Sequence, residues 1–391
     1  MKNHTDKMKG VRFLFCVLST IGLWLCLSHP GLAQNRPPPP TGPVDLYALV
    51  VGIGAYSPAG PFDDVFGAEQ SANLVAETLA ARGARHVMVL ASDGQDGGRL
   101  IGRSDIREAV FALKRKIRSD RARAPSILFY IFGHGVGDPD VEIFFSVPGS
   151  YNGPFDQNSG LTIIQGTITN LDIFGALTQF RIHPSMSGWD ELLLPSDAMP
   201  NLQNSIESIP RLLETYGKID RAERMGAEGA PLEGNAPVPF MVLFDNCSNQ
   251  IDQNLFIDGS IILPFMQSSF RDLLNEGLAF YAAAPGESAT TVDAPQPLPP
   301  GAAGVYSEGK IGPVARRLLE ILRDNVGPLT MSSLVQTFER STAYDSGSPP
   351  SWAPFSHQQS LRADVREVEL IPPFGRNARG TIEHRSIVEW R

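Results

Sequence analysis

Residues 126–138 read SILFYIFGHGVGD, an apolar run that ends at Phe132 and breaks into Gly133-His134-Gly135, with a further glycine at 137. A second apolar run, VPFMVLFDNCSN over 238–249, breaks at polar residues that include Cys247. A thiol beside an imidazole is the minimum equipment for nucleophilic acyl transfer. The thiolate attacks a carbonyl carbon, the imidazole protonates the leaving amine, and backbone N–H groups hold the oxyanion. Taken singly, each residue has a plainer reading. A buried cysteine usually serves as a small hydrophobe, and a histidine after a strand usually has a structural role. The pair gains chemical weight because both residues lie just past the ends of apolar runs.

Those runs belong to a longer pattern. LYALVVGIGAY (46–56), HVMVLAS (86–92) and the run before His134 read as strands buried on both faces. Between them, GAEQSANLVAETLAARG places Ala68, Ala72, Val75 and Leu79 on one helical face, with Gly83 at its stop. SDIREAVFALKRKIRSD offers Ser104 as an N-cap, Asp105 in the first turn, and a stripe of Ile106, Val110, Leu113 and Ile117. Strand, helix, strand, helix, strand predicts an α/β fold with a mostly parallel central sheet flanked by helices on both faces. Further strands are expected within 189–198, 238–249 and 278–286, helices over about 205–217 and 312–327, and an edge strand within 365–372. A normal crossover would make the His134 and Cys247 strands parallel neighbours. Their ends would then meet at the carboxyl edge, where open parallel sheets carry reactive groups. Gly133 would let the strand turn sharply, and Gly135 and Gly137 would let backbone approach a substrate.

The amino terminus reads as a targeting segment. Lys2, Lys7, Lys9 and Arg12 precede the apolar run 13–27, and Gly31 and Ala33 are small residues of the kind a signal peptidase reads. Residues 1–33 are expected to be a signal peptide, and 34–44, rich in proline, a stiff linker. Cleavage would remove Cys16 and Cys26 and leave Cys247 as the one thiol of the mature chain. It would also take the formal charge from −9 to −12, since four basic side chains leave with Asp6. So acidic a chain is unsuited to nucleic acid and favours basic peptides. An extracytoplasmic location, periplasmic or secreted, follows, with no stable membrane insertion after cleavage. A domain over 45–345 carries irregular inserts at 139–188 and 217–236, and 346–391 reads as a carboxyl-terminal extension with an edge strand.

In this order the segments resemble the caspase-like cysteine peptidases, closest to the metacaspases and bacterial caspase homologues. YALVVGIGAY looks like the first strand of that family, FYIFGHGVGD like its His-Gly motif, and MVLFDNCSNQ like its Asp-x-Cys motif. ELLLPSDA resembles the strand that family places between those two motifs, YAAAPGESAT its late strand and loop, and GVYSEGKIGPVARRLLEIL its last helix. The resemblance runs from about 46 to 340. It implies Cys247 as nucleophile and His134 as acid/base, with the N–H groups of Gly135 and Cys247 as the oxyanion hole. It also implies Asp245 as the acid lining a first pocket for basic side chains, and so cleavage after Arg in preference to Lys. Without the resemblance, Asp245 reads as a turn residue closing its strand.

Two departures bear on specificity. Where the family often has Asn-Asp-Ala in its first helix, this chain has Gln70-Ser71-Ala72, so Ser71 stands where a second pocket acid is expected, with Asp63, Asp64 or Glu69 as substitutes. After the nucleophile, Ser248-Asn249-Gln250 replaces a basic residue followed by Ser-Gly. The leading expectation is an exported cysteine endopeptidase acting on peptide or protein substrates. Two alternatives are a caspase-fold protein with little or no activity, serving as a binding or scaffold module, and an acyl transferase using the same thiol. No cofactor is required by this chemistry. Calcium could be held by Asp138, Asp140 and Glu142, which form no recognisable loop and read equally as surface charges.

Overall fold

The apolar runs become the middle of one sheet. The computed structural model describes residues 43–92, 99–122, 124–138, 143–151, 168–169, 238–246, 249–250, 277–283, 289–299, 309–340, 355–356 and 366–385, all within the compact unit formed by residues 38–391. Strands β1 (Asp45–Ile53), β2 (His86–Ser92) and β3 (Pro125–Gly133) run parallel, with β1 between the other two. Helices α1 (Ala68–Ala81) and α2 (Arg103–Ser119) make the two crossovers. β7 (Phe240–Asn246) adds in parallel beside β3, and β9 (Gly277–Tyr281) beside β7. The expected adjacency of the His134 and Cys247 strands is therefore present.

The edges were not anticipated. Thr381–His384 forms the strand β15, parallel to β2, and Phe355–Ser356 forms β13, antiparallel to β9. The sheet thus has seven strands, in the order β13-β9-β7-β3-β1-β2-β15, six of them parallel. The edge strand expected within 365–372 lies elsewhere. Glu369–Ile371 (β14) pairs antiparallel with Leu329–Thr330 (β12) in a separate two-stranded ribbon, and Val292–Asp293 (β10) with Lys310–Ile311 (β11) in another. The segment 346–391, read as an extension, in fact supplies both edges of the main sheet.

Two apolar layers bury the faces of the sheet. One joins Leu49, Val51, Phe129, Ile131 and Phe244 to the α2 stripe of Ile106, Val110, Leu113 and Ile117. The other joins Val50, Tyr130 and Leu243 to α1, to α3 (Pro313–Asp324) and to α4 (Met331–Arg340). Helices on both faces follow from strands that are apolar at nearly every position. The start of α2 differs from the expectation at Ser104. Asp105 makes the cap, accepting a 2.7 Å hydrogen bond from the Gly102 N–H.

A smaller sheet grows from the carboxyl edge. β4 (Gly135–Asp138) follows His134 directly and pairs antiparallel with β5 (Ile143–Ser146), which pairs with β6 (Ile168–Thr169). β8 (Asn249–Gln250) lies parallel to β4 on its other side. Residues 1–42, with the expected signal peptide, its cysteines and most of the expected linker, lie outside the described residues, as do the elements expected over 189–198 and 205–217 and the insert expected at 217–236.

Candidate active site

The loop after β1 builds the surroundings of His134. Tyr56 and Phe62 approach its imidazole with ring centroids 4.8 and 5.0 Å away, the tyrosine edge-on. Ser92 and Asp64 hold this loop in place. Ser92 Oγ accepts from the N–H groups of Gly54 and Ala55 at 3.0 and 3.1 Å. Asp64 Oδ1 accepts from the Tyr56 N–H at 2.8 Å. The same loop brings the Asp63 carbonyl to 2.8 Å from His134 Nε2. A carbonyl only accepts, so Nε2 carries the hydrogen and Nδ1 keeps its lone pair. Among the described residues no hydrogen bond engages Nδ1. Burial holds the imidazole below its ordinary pKa, outweighing the opposing pull of Asp63. The geometry therefore presents a neutral imidazole with a fixed tautomer.

Gly133 has a different role from the sharp turn expected of it. A Cβ there would lie 2.6 Å from Tyr56 Oη and 3.0 Å from Ile53 Cβ. The glycine makes room for the tyrosine hydroxyl, which accepts the His134 N–H at 2.7 Å. Gly135 begins β4, opposite Ser146, and Gly137 lies opposite Phe144 in the same pairing.

Asn246 ends β7 opposite Gly133, 113 positions earlier in the chain. Past the gap, Val136 pairs with Asn249 and Gly137 with Gln250, at the same offset. These two pairings flank positions 134–135 on one side and 247–248 on the other. Cys247 itself, with its N–H in the expected oxyanion hole, lies outside the described residues.

Asp245 and Ser71 do come together, but around the protein's own chain. Asp245 is fully buried. Its Oδ1 accepts from the Val314 N–H at 3.0 Å, and its Oδ2 from the Ala315 N–H at 2.8 Å and the Tyr130 hydroxyl at 2.9 Å. It is thus an N-terminal cap for α3, supplied from another strand. Ser71 Oγ donates to the Gly67 carbonyl at 2.6 Å and accepts from the Gly312 N–H at 3.0 Å. Gly312 must be glycine, since a Cβ there would sit 2.0 Å from Asp245 Oδ2. Asp245 and Ser71, expected to bind a substrate side chain, are both engaged with the protein's own backbone. Both carboxylate oxygens are engaged inside the core, with no exposed face to offer a guanidinium. Alternation along β7 sets this orientation. Asp245 shares the face of Met241 and Leu243, which is covered by helices.

Sequence reasoning missed Tyr56, Asn246 and the Asp63 carbonyl. A tyrosine just after the first strand and an asparagine before the cysteine were visible signals, but their partners lie on other strands. Among the described residues no group of three His, Cys, Asp or Glu side chains could hold a metal ion. Asp140 and Glu142 lie outside those residues, and no described helix is long and apolar enough to cross a membrane. No protein-family model matches the chain, and no curated protein matches it significantly.

Proposed function

We propose that this protein is a cysteine endopeptidase of caspase-like architecture, exported from the cytoplasm, in which Cys247 attacks the peptide carbonyl and His134 moves the protons. The observation that carries this reading is the fixing of His134 Nε2 on the Asp63 carbonyl, 2.8 Å away. That hydrogen bond leaves Nδ1 as the base, at the end of a strand whose neighbour leads into Cys247. The imidazole would take the thiol proton. The thiolate would add to the carbonyl carbon, and the imidazolium would return a proton to the departing amine. Water would then hydrolyse the thioester, with the same nitrogen as base. The N–H groups of Gly135 and Cys247 are the proposed oxyanion donors.

The net acidic charge of the mature chain makes peptides with Arg or Lys before the cut the first substrates to try. Asp245 is not counted among the residues that touch them. One observation favours a second reading, a binding module that has lost catalysis: the positions matching the family's basic pocket are filled by the protein's own residues 312–315. Alkylation separates the two. The peptidase reading expects fast labelling of Cys247 by iodoacetamide at neutral pH, lost in His134→Ala, together with hydrolysis of fluorogenic peptides that Cys247→Ala abolishes. Slow labelling that ignores His134, with no hydrolysis, would favour the binding module.

A further inference from the structure

Three hydrogen bonds form a closed ring around the backbone of His134. Its N–H donates to Tyr56 Oη at 2.7 Å, Tyr56 donates to the Val147 carbonyl at 3.2 Å, and the Val147 N–H donates to the His134 carbonyl at 3.0 Å. Asn246 joins this ring to the next strand. Its Nδ2 donates to the carbonyls of Gly133 and His134, at 3.1 and 3.0 Å. Both protons of the amide are therefore spent on the strand end that carries the imidazole. The residue that spends them immediately precedes Cys247.

The choice of asparagine is poorly explained by stability alone. Asn246 is buried, and its Oδ1 has no hydrogen-bond partner among the described residues. An orphaned buried acceptor costs free energy that an apolar side chain of similar volume would avoid. The rest of β7 up to Phe244 is apolar and holds its register through the sheet without such help.

We infer that Asn246 is a positioning residue which, with Tyr56 closing the ring, sets the spacing between the acid/base and the nucleophile. The inference rests on the proposed His134/Cys247 reading. Parallel strands alone fix where their ends lie only to within the play of a terminal turn. A side chain that donates to two successive carbonyls of the neighbouring strand removes that play at the position where the dyad must meet. Misplacement of reacting groups by about 1 Å is enough to cost on the order of a hundredfold in rate.

The test is the pH dependence of alkylation at Cys247 in the full-length protein, followed by mass spectrometry of the peptide that carries it. Wild type, His134→Ala, Asn246→Ala and Tyr56→Phe are compared, each checked for native circular dichroism. Wild type is expected to form its thiolate well below the ordinary thiol pKa of about 8.5. Asn246→Ala and Tyr56→Phe are expected to move that midpoint most of the way to the His134→Ala value. They should also lower kcat by about ten- to a hundredfold with little change in KM. Tyr56→Phe keeps the ring against the imidazole and decides the matter if Asn246→Ala does not fold. Wild-type profiles in both variants would overturn the positioning role and leave the dyad standing. A wild-type profile identical to that of His134→Ala would overturn the dyad, and the positioning role with it.

Discussion

Asp63 serves the imidazole with its backbone, and its side chain faces solvent. Replacement by asparagine should therefore leave turnover within about twofold, the range of an ordinary surface change, whereas His134→Ala should lower it by roughly two to four orders of magnitude. A large loss in Asp63→Asn would mean that the carboxylate takes part. Burial depresses the His134 pKa, so the imidazole should titrate below its ordinary value of 6.5 in a proton NMR titration. The linked effect on stability has a definite sign. Below pH 6.5 the unfolded chain takes up this proton before the folded one does, so the stability from His134 is present above that pH and falls as acid is added. His134 was legible in the sequence because glycines frame it. The tautomer was not, because the carbonyl that fixes it belongs to a loop 71 positions earlier.

Helix α3 is held by a buried charge at each end. Asp245 caps its first turn. Arg82, almost fully buried at the end of α1, donates to the carbonyls of Leu322, Asn325 and Gly327. Each charge opposes the helix dipole at its own end. Neither role was readable from sequence spacing, since Asp245 lies 69 positions before Val314 and Arg82 lies 240 before Leu322. Burial pushes the Asp245 carboxyl up to about 6, against the hydrogen bonds from Ala315, Val314 and Tyr130. Its folded pKa thus exceeds the ordinary 3.8, and between those values the folded state holds more protons than the unfolded one. The contribution of Asp245 to stability therefore falls as pH rises from about 4 to 6. Asp245→Asn should lose that slope and cost about 1–3 kcal/mol, because its amide would turn a donor towards a backbone N–H. Urea unfolding of both proteins between pH 4 and 7 checks this: the wild-type advantage should shrink as pH rises. Arg82→Lys should cost at least about 2 kcal/mol, since an ammonium cannot reproduce the planar fork that reaches three carbonyls.

The centre of the molecule was far more legible than its rim. Strands β1, β2, β3 and β7 are apolar at nearly every position, and that pattern survives whatever surrounds them. The rim strands are two and four residues long, and Thr381-Ile382-Glu383-His384 is too short and too polar to stand out as a strand. Its place is set by non-local contacts. It follows the register of β2 from Thr381 opposite His86, and Thr381 Oγ1 lies 3.0 Å from His86 Nδ1. Glu383 also comes within 3.2 Å of His86 Nε2, out of line for a hydrogen bond. Deleting residues 381–385 should leave the outer side of β2, an apolar run, open to other chains. Light scattering at micromolar concentration should then show association that the intact protein lacks. Chain order adds a consequence in time. The strand that covers β2 is made 295 positions after His86. A polypeptide leaving the ribosome amino end first can join β1, β2 and β3 early, yet it carries a bare strand edge until almost all of the described chain has been made. Its need for a chaperone that shields extended segments should therefore last through most of synthesis, long after the central strands have paired.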